Sequence, residues 1–132
     1  MKKFLLFLVL AAVLAGCASN KIRDQFDESV ESYNKSVRLL EWDSAGLFTA
    51  DSISKEFRKR AEAAGDVRMI DCRITGKTLI VEKREAFVDV EIEYYKSFSP
   101  VVKTLHDRQK WEYLDENGTK AWKLVSLIPD FK

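Results

Sequence analysis

"REAFVDVEIEYYKS", residues 84–97, alternates without a break: Ala86, Val88, Val90, Ile92 and Tyr94 share one side, Asp89, Glu91 and Glu93 the other. Successive side chains leave a strand on opposite faces, so a period of two marks a half-buried β-strand. The same period runs through "VRMIDCRIT" (67–75), "VVKTLHDRQKWEYL" (101–114) and "KAWKLVSL" (120–127), with turns expected at Gly76, around Ser99-Pro100 and at "DENG" (115–118). In the third strand Leu105, Trp111 and Tyr113 share a face with Asp107 and Gln109, while Thr104, His106, Arg108, Lys110 and Glu112 face away. Pairing the second and third strands as a hairpin sets the outer acids Asp89 and Glu91 against the outer bases His106 and Arg108.

Upstream of Val67 the period is helical. Phe26, Val30, Tyr33, Val37 and Leu40 recur at spacings of four and three, with Glu28, Glu31, Lys35 and Arg38 on other faces. "EWDSAGLF" (41–48) forms a short second element presenting Trp42, Leu47 and Phe48, and a third helix starts at Asp51 as N-cap and stops at Gly65. Helices first and a meandering antiparallel sheet afterwards define an α+β fold, about three N-terminal helices packed on one face of four strands.

The N-terminus follows different rules. Lys2 and Lys3 precede the uncharged apolar run "FLLFLVLAAVL" (4–14), which ends in "LAGCASN" (14–20). That is the layout of a secretory signal, and it is shorter than the roughly 18 apolar residues of a spanning helix. Leu14, Ala15, Gly16 and Cys17 resemble, residue for residue, the box of bacterial lipoprotein signals. The resemblance implies a signal peptide over residues 1–16, diacylglycerol on the Cys17 thiol and cleavage just before it. The bland alternatives are an ordinary cleaved signal or an uncleaved helix. Residues 17–25 then form the lipidated cysteine and a short tether, in which "ASNKIR" (18–23) spans roughly 20 Å when extended, and residues 26–132 a single domain. Ala18 resembles the second mature position of lipoproteins sent to the outer membrane, so the expected location is the periplasmic side of that membrane where the host has two.

Loss of residues 1–16 from the 132 leaves 116, enough for one domain. It also reduces the 22 basic residues to 20 against 21 acidic ones, a charge of −1. That balance excludes long-range attraction to nucleic acid. With Cys17 acylated, Cys72 is the one remaining cysteine, which excludes an internal disulfide and any cysteine-rich metal site. Flanked by Asp71 and Arg73 in an alternating stretch, it reads as a small buried hydrophobe. His106 and Asp107 are strand neighbours on opposite faces, so His106 reads as an exposed partner of a carboxylate rather than half of a dyad. Phosphate loops, nucleophile elbows, His-x-x-x-His and acidic calcium loops are missing from the sequence, and no catalytic residue, cofactor or metal site is assigned.

The inner face does carry polar residues. Counting back from Asn117-Gly118 places Trp122 and Leu124 beside Tyr113 and Trp111, and carries Ser126 toward Gln109 and Asp107. With Tyr33 of the first helix looking onto the same space, Tyr33, Asp107, Gln109 and Ser126 form a candidate pocket lining. The alternative is a satisfied network of buried side chains.

The helical stretch ending "LLEWDSAGLFTADSISKEF", the strand "AFVDVEIEYY" and the hairpin "KWEYLDENGTKAWKLVSL" together resemble the nuclear-transport-factor-2-like superfamily, from about Phe26 to Leu127. A cystatin-like helix-on-sheet fold is the competitor, with one long helix where this sequence suggests three. The resemblance implies a strongly curved sheet closing into a cone around a cavity. It spans isomerases, dehydratases, hydrolases, carriers and assembly domains, so it implies no single activity. Two functions follow. One is a noncatalytic membrane-anchored module, held through Cys17, for a small apolar ligand or an envelope protein partner. The other is a small-molecule isomerase or hydrolase with Asp107 as an inward-facing base. Sheets of this superfamily often pair back to back, which leaves room for a homodimer.

Overall fold

The computed structural model describes the backbone of residues 2–132 and the side chains of residues 18–132. Three helices, α1 (Lys2–Arg38), α2 (Trp42–Gly46) and α3 (Asp51–Ala63), precede four strands, β1 (Val67–Ile80), β2 (Glu85–Lys96), β3 (Ser99–Glu116) and β4 (Thr119–Leu124). The strands form one antiparallel sheet in the order β1-β2-β3-β4, confirming the α+β class.

The inner row of β2 is buried throughout, from Ala86 to Tyr94. Its register against β3 sets Asp89 opposite Arg108 and Glu91 opposite His106, as the charge pattern requires. The tight turn falls at Asn117 and Gly118, whose φ angles of 55° and 82° are those of a two-residue hairpin loop. It brings Tyr113 opposite Trp122 and Trp111 opposite Leu124.

Three local expectations fail for identifiable reasons. Gly76 is not a turn: β1 runs through it to Ile80, and the register jumps between Ile74 and Gly76, so the glycine marks a bulge. The reversal comes after a 3-10 turn at Val81–Lys83, with Arg84 left-handed at φ 51°. The second reversal falls at Ser97 and Phe98, one step before Ser99-Pro100, because Lys96 already pairs with Ser99. Finally, residues 18–25 are helical turns of α1 rather than an extended tether, so this stretch rises only about 1.5 Å per residue.

Helix α1 lies across the sheet antiparallel to β1. Asp27 meets Lys77 at 3.1 Å, Asn34 lies beside Cys72, and Arg38 approaches Asp71 at 3.9 Å. Near its start, the Ile22 carbonyl accepts the Trp122 indole N–H at 3.0 Å. The helix thus touches both outer strands, which wrap around it. Phe26, Val30, Tyr33 and Val37 are its buried stripe, packed with Trp111, Trp122 and Phe57. Ring pairs Phe26–Trp122 at 5.0 Å and Tyr33–Trp111 at 5.5 Å fill the concave face.

Candidate functional site

Two regions compete for the functional role, the polar group inside the sheet and the apolar end beyond it. Inside, Gln109 rises from β3 to meet Asn34 on α1. The Gln109 Nε2 donates to Asn34 Oδ1 at 2.8 Å and the Asn34 Nδ2 returns a bond to Gln109 Oε1 at 3.3 Å. The same Asn34 nitrogen donates to the Val30 carbonyl at 2.9 Å, and the Trp111 indole N–H donates to Gln109 Oε1 at 3.1 Å. Gln109 is 2% exposed, so these bonds replace the water it gave up on burial.

Asn34 escaped the sequence reading although its signal was present. Val30, Tyr33, Asn34 and Val37 sit at i, i+3, i+4 and i+7, the full width of an apolar stripe.

Tyr33 and Asp107 join this group, with different surroundings. Tyr33 is buried with its ring against Trp111. Burial, then the Asp107 and Cys72 charges, hold its hydroxyl well above the ordinary 10, so it stays a neutral phenol. Asp107 is half-buried on the inner face of β3. Burial raises its carboxyl from the ordinary 3.8 to about 6, and the Gln109 amide acts in the opposite direction. Cys72 is half-buried too, and burial, Asp107 and Asp71 push its thiol up to about 12, which disfavours the thiolate.

Ser126 does not line this space. The sheet pairing of β4 ends at Leu124, and the Ser126 hydroxyl turns back to accept the Lys110 N–H at 2.9 Å while Val125 donates to the Lys110 carbonyl. The hydroxyl therefore closes the edge of β3 instead of facing Gln109 and Asp107. His106 lies outside, with its Nδ1 3.9 Å from Glu91 across the strands.

Clefts open elsewhere. One of about 540 Å³ runs between α2 and α3 over Leu40, Trp42, Arg58 and Ala61. Another of about 430 Å³ lies against α1 and β1 and reaches Asn34 and Cys72. Both stop short of Tyr33, Asp107 and Gln109.

The apolar end is built by the hairpin between β2 and β3. Between the pairs Tyr94–Lys103 and Lys96–Ser99, β2 contributes Tyr95 alone while β3 contributes Pro100, Val101 and Val102. Such a bulge forces side chains out of the ladder. Phe98 is 76% exposed, Val101 61% and Val102 55%. Because α1 runs antiparallel to β1, this tip lies at the end of the domain where α1 finishes, about 30 Å along the helix from residue 18.

The comparisons with known proteins speak to the two ends of the chain differently. Residues 1–18 match the family model of the prokaryotic membrane lipoprotein lipid attachment site. The protein is accordingly a bacterial lipoprotein anchored to the membrane through lipid. The side chain of Cys17, the expected attachment point, lies outside the described residues. Among the described residues no helix is long and apolar enough to cross a membrane. No curated protein matches the chain.

Solved structures resemble it in fold. A SEC-C motif containing protein from Psychrobacter arcticus aligns with TM-score 0.60 at 11% identity, over 78% of this chain and 59% of that one. This chain thus spans less than two thirds of that protein. A second SEC-C motif containing protein, from Rhodopseudomonas palustris, gives 0.53 at 12% identity, over 72% of each chain. A TraE protein solved in complex with 2-chloroisonicotinic acid gives 0.48 at 12% identity, over 81% of this chain and 91% of that one.

Proposed function

We propose that this lipoprotein is a noncatalytic binding module of the cell envelope that engages a protein partner through the end of the domain remote from its anchor. The observation that carries this reading is the contrast between a filled interior and an apolar tip. A carrier of small apolar molecules needs an open cone, whereas here Tyr33, Trp111 and Trp122 occupy the concave face and Gln109 is bonded to Asn34. Three of the exposed large apolar residues, Phe98, Val101 and Val102, instead gather at this tip, while Leu39, Leu47 and Ile70 are exposed singly. Their distance from the anchor points them at another protein rather than at the lipid that holds Cys17.

The sheet wrapped around α1 supports a nuclear-transport-factor-2-like cone. Ala18 after Cys17 supports the periplasmic face of the outer membrane as the address. An isomerase or hydrolase using Asp107 has less support, because the clefts described above do not reach that carboxyl.

Photocross-linking from a reactive residue at position 98 in intact envelopes tests the reading. One polypeptide adduct is expected, lost in a Phe98→Asp, Val101→Asp variant that keeps its fold and its membrane association. Labelling of lipid alone, or an adduct indifferent to those changes, overturns it. Cys17→Ser should release the protein from membranes, and continued association would refute the anchor.

A further inference from the structure

The tip of the β2–β3 hairpin is held from both flanks by segments that lie outside it. On one flank the Ser97 N–H donates to the Asp66 carbonyl at 2.8 Å, and Lys96 Nζ lies 3.5 Å from the Asp66 carboxylate. The chain that joins α3 to β1 therefore grips the reversal itself. On the other flank the Lys132 carbonyl accepts both the Tyr94 hydroxyl, at 3.0 Å, and Lys103 Nζ. Tyr94 and Lys103 are paired across the hairpin, so one carbonyl ties its two strands together at the last pair before the bulge. Phe131 secures that carbonyl, with its ring edge-on to Tyr94 at 5.0 Å and with Trp42 at 6.4 Å. A two-stranded hairpin is marginal alone, and these outside contacts fix it.

The tip is also neutral. Residues 97–102, Ser-Phe-Ser-Pro-Val-Val, carry no charge. The lysines on either side of them are already engaged, Lys96 with the Asp66 carboxylate and Lys103 with the Lys132 carbonyl. Arg68, opposite Tyr95, donates to the Val67 and Gly65 carbonyls at 3.0 and 3.4 Å. Asp130 and Lys132 in the last residues of the chain add one charge of each sign.

We propose that Phe98, Val101 and Val102 form a preformed apolar knob, braced by Asp66 and by Phe131 with Lys132, that enters an uncharged concave pocket of the partner protein. The inference rests on the reading of the protein as a partner-binding module, and adds the shape and chemistry of the surface it meets. A knob fixed before binding loses little freedom on docking, so Asp66, Phe131 and Lys103 are positioning residues that act through the tip. With its flanking charges satisfied internally, the knob has no ionic demand to make of the partner, and its binding is indifferent to salt.

Two measurements on the full-length lipidated protein test this. In nanodiscs, amide hydrogen exchange at Ser97 is expected to be at least about tenfold slower than in an unstructured chain. Phe131→Ala should speed it at least about fivefold and leave Tyr113 and Trp122 unchanged, and Phe131→Tyr should restore it. In intact envelopes, the photocross-linked adduct from position 98 should fall at least about fivefold with Phe131→Ala and return with Phe131→Tyr. Lys103→Met, which removes one grip on the Lys132 carbonyl without touching the core, should lower it as well. The yield should stay within about twofold between 50 and 500 mM sodium chloride. A Ser97 amide that exchanges freely in the wild type, a tenfold loss of adduct with salt, or full yield from both Phe131→Ala and Lys103→Met overturns the proposal. An adduct that joins position 98 to a second copy of this chain overturns it too. A polypeptide adduct formed from a mobile tip refutes the brace alone, whereas absence of any polypeptide adduct refutes the partner-binding reading itself.

Discussion

The two halves of β3 share one alternation and live in different surroundings. From Gln109 to Glu112 the strand has β2 on one side, β4 or its continuation on the other, and α1 above, and β4 stays paired with it as far as Glu116. From Ser99 to Arg108 its one strand neighbour is β2; Leu105 and Asp107 are half-buried on the inner face, while the apolar residues Val101 and Val102 face solvent. The same pattern of side chains therefore lies between two strands in one half and beside a single strand in the other, and the length of β4 decides where the change falls. Stability should concentrate in the covered half and recognition in the bare one.

The largest test of that division is Trp111→Ala. The side chain is 0% exposed and holds both Tyr33 and the Gln109 amide, so its loss is expected to cost about 3–5 kcal/mol in urea unfolding. A loss under about 1 kcal/mol would place the core elsewhere. Gln109→Ala should cost about 2 kcal/mol, because Asn34 and the Trp111 N–H are left buried and unpaired. Combining it with Asn34→Leu should recover part of the loss, and strictly additive costs would argue against a shared network.

Asp107 sits at the boundary between the halves, and its effect depends on pH. Its folded pKa, about 6, is raised above the ordinary 3.8, so between these values the native state binds more protons than the unfolded chain. Its contribution is favourable at low pH and falls as pH rises through that window. Asp107→Asn should flatten this fall and stabilise the protein at pH 7 by about 1 kcal/mol, read as a higher melting temperature. A variant that keeps the wild-type slope would move the titration to another group. Smallest of all, Phe98→Ser in the bare half should change stability by less than about 0.5 kcal/mol. A larger loss would make the tip part of the core and weaken its role in recognition.

Much of this fold was legible because alternation and burial agreed. Ala86 to Tyr94, the pairing of Asp89 with Arg108 and the Asn117-Gly118 turn all follow from local pattern. What could not be read depended on lengths and partners distant in sequence. Gly76 reads equally as a turn or a bulge, because a lone glycine in a strand pattern signals both. Ser126 was carried to the inner face by extending the β4 register past Leu124, where the real strand stops and its hydroxyl turns to Lys110. Asn34 was hidden because a polar residue on a helix is assigned to solvent until its partner, 75 positions away, is known. The half of β3 with a single strand neighbour is of the same kind, since it exists only by comparison with the shorter strand beside it.

Helix α1 joins the end that carries the lipid to a domain whose tip lies at the other end, and it grips the sheet at Ile22, Asp27, Asn34 and Arg38 along its length. A pull between membrane and tip therefore acts along the helix axis and tries to slide α1 over the strands. Sliding loads those contacts and the packed stripe together, whereas peeling would break them one at a time. Tension along that axis would be borne in shear by the domain's own core.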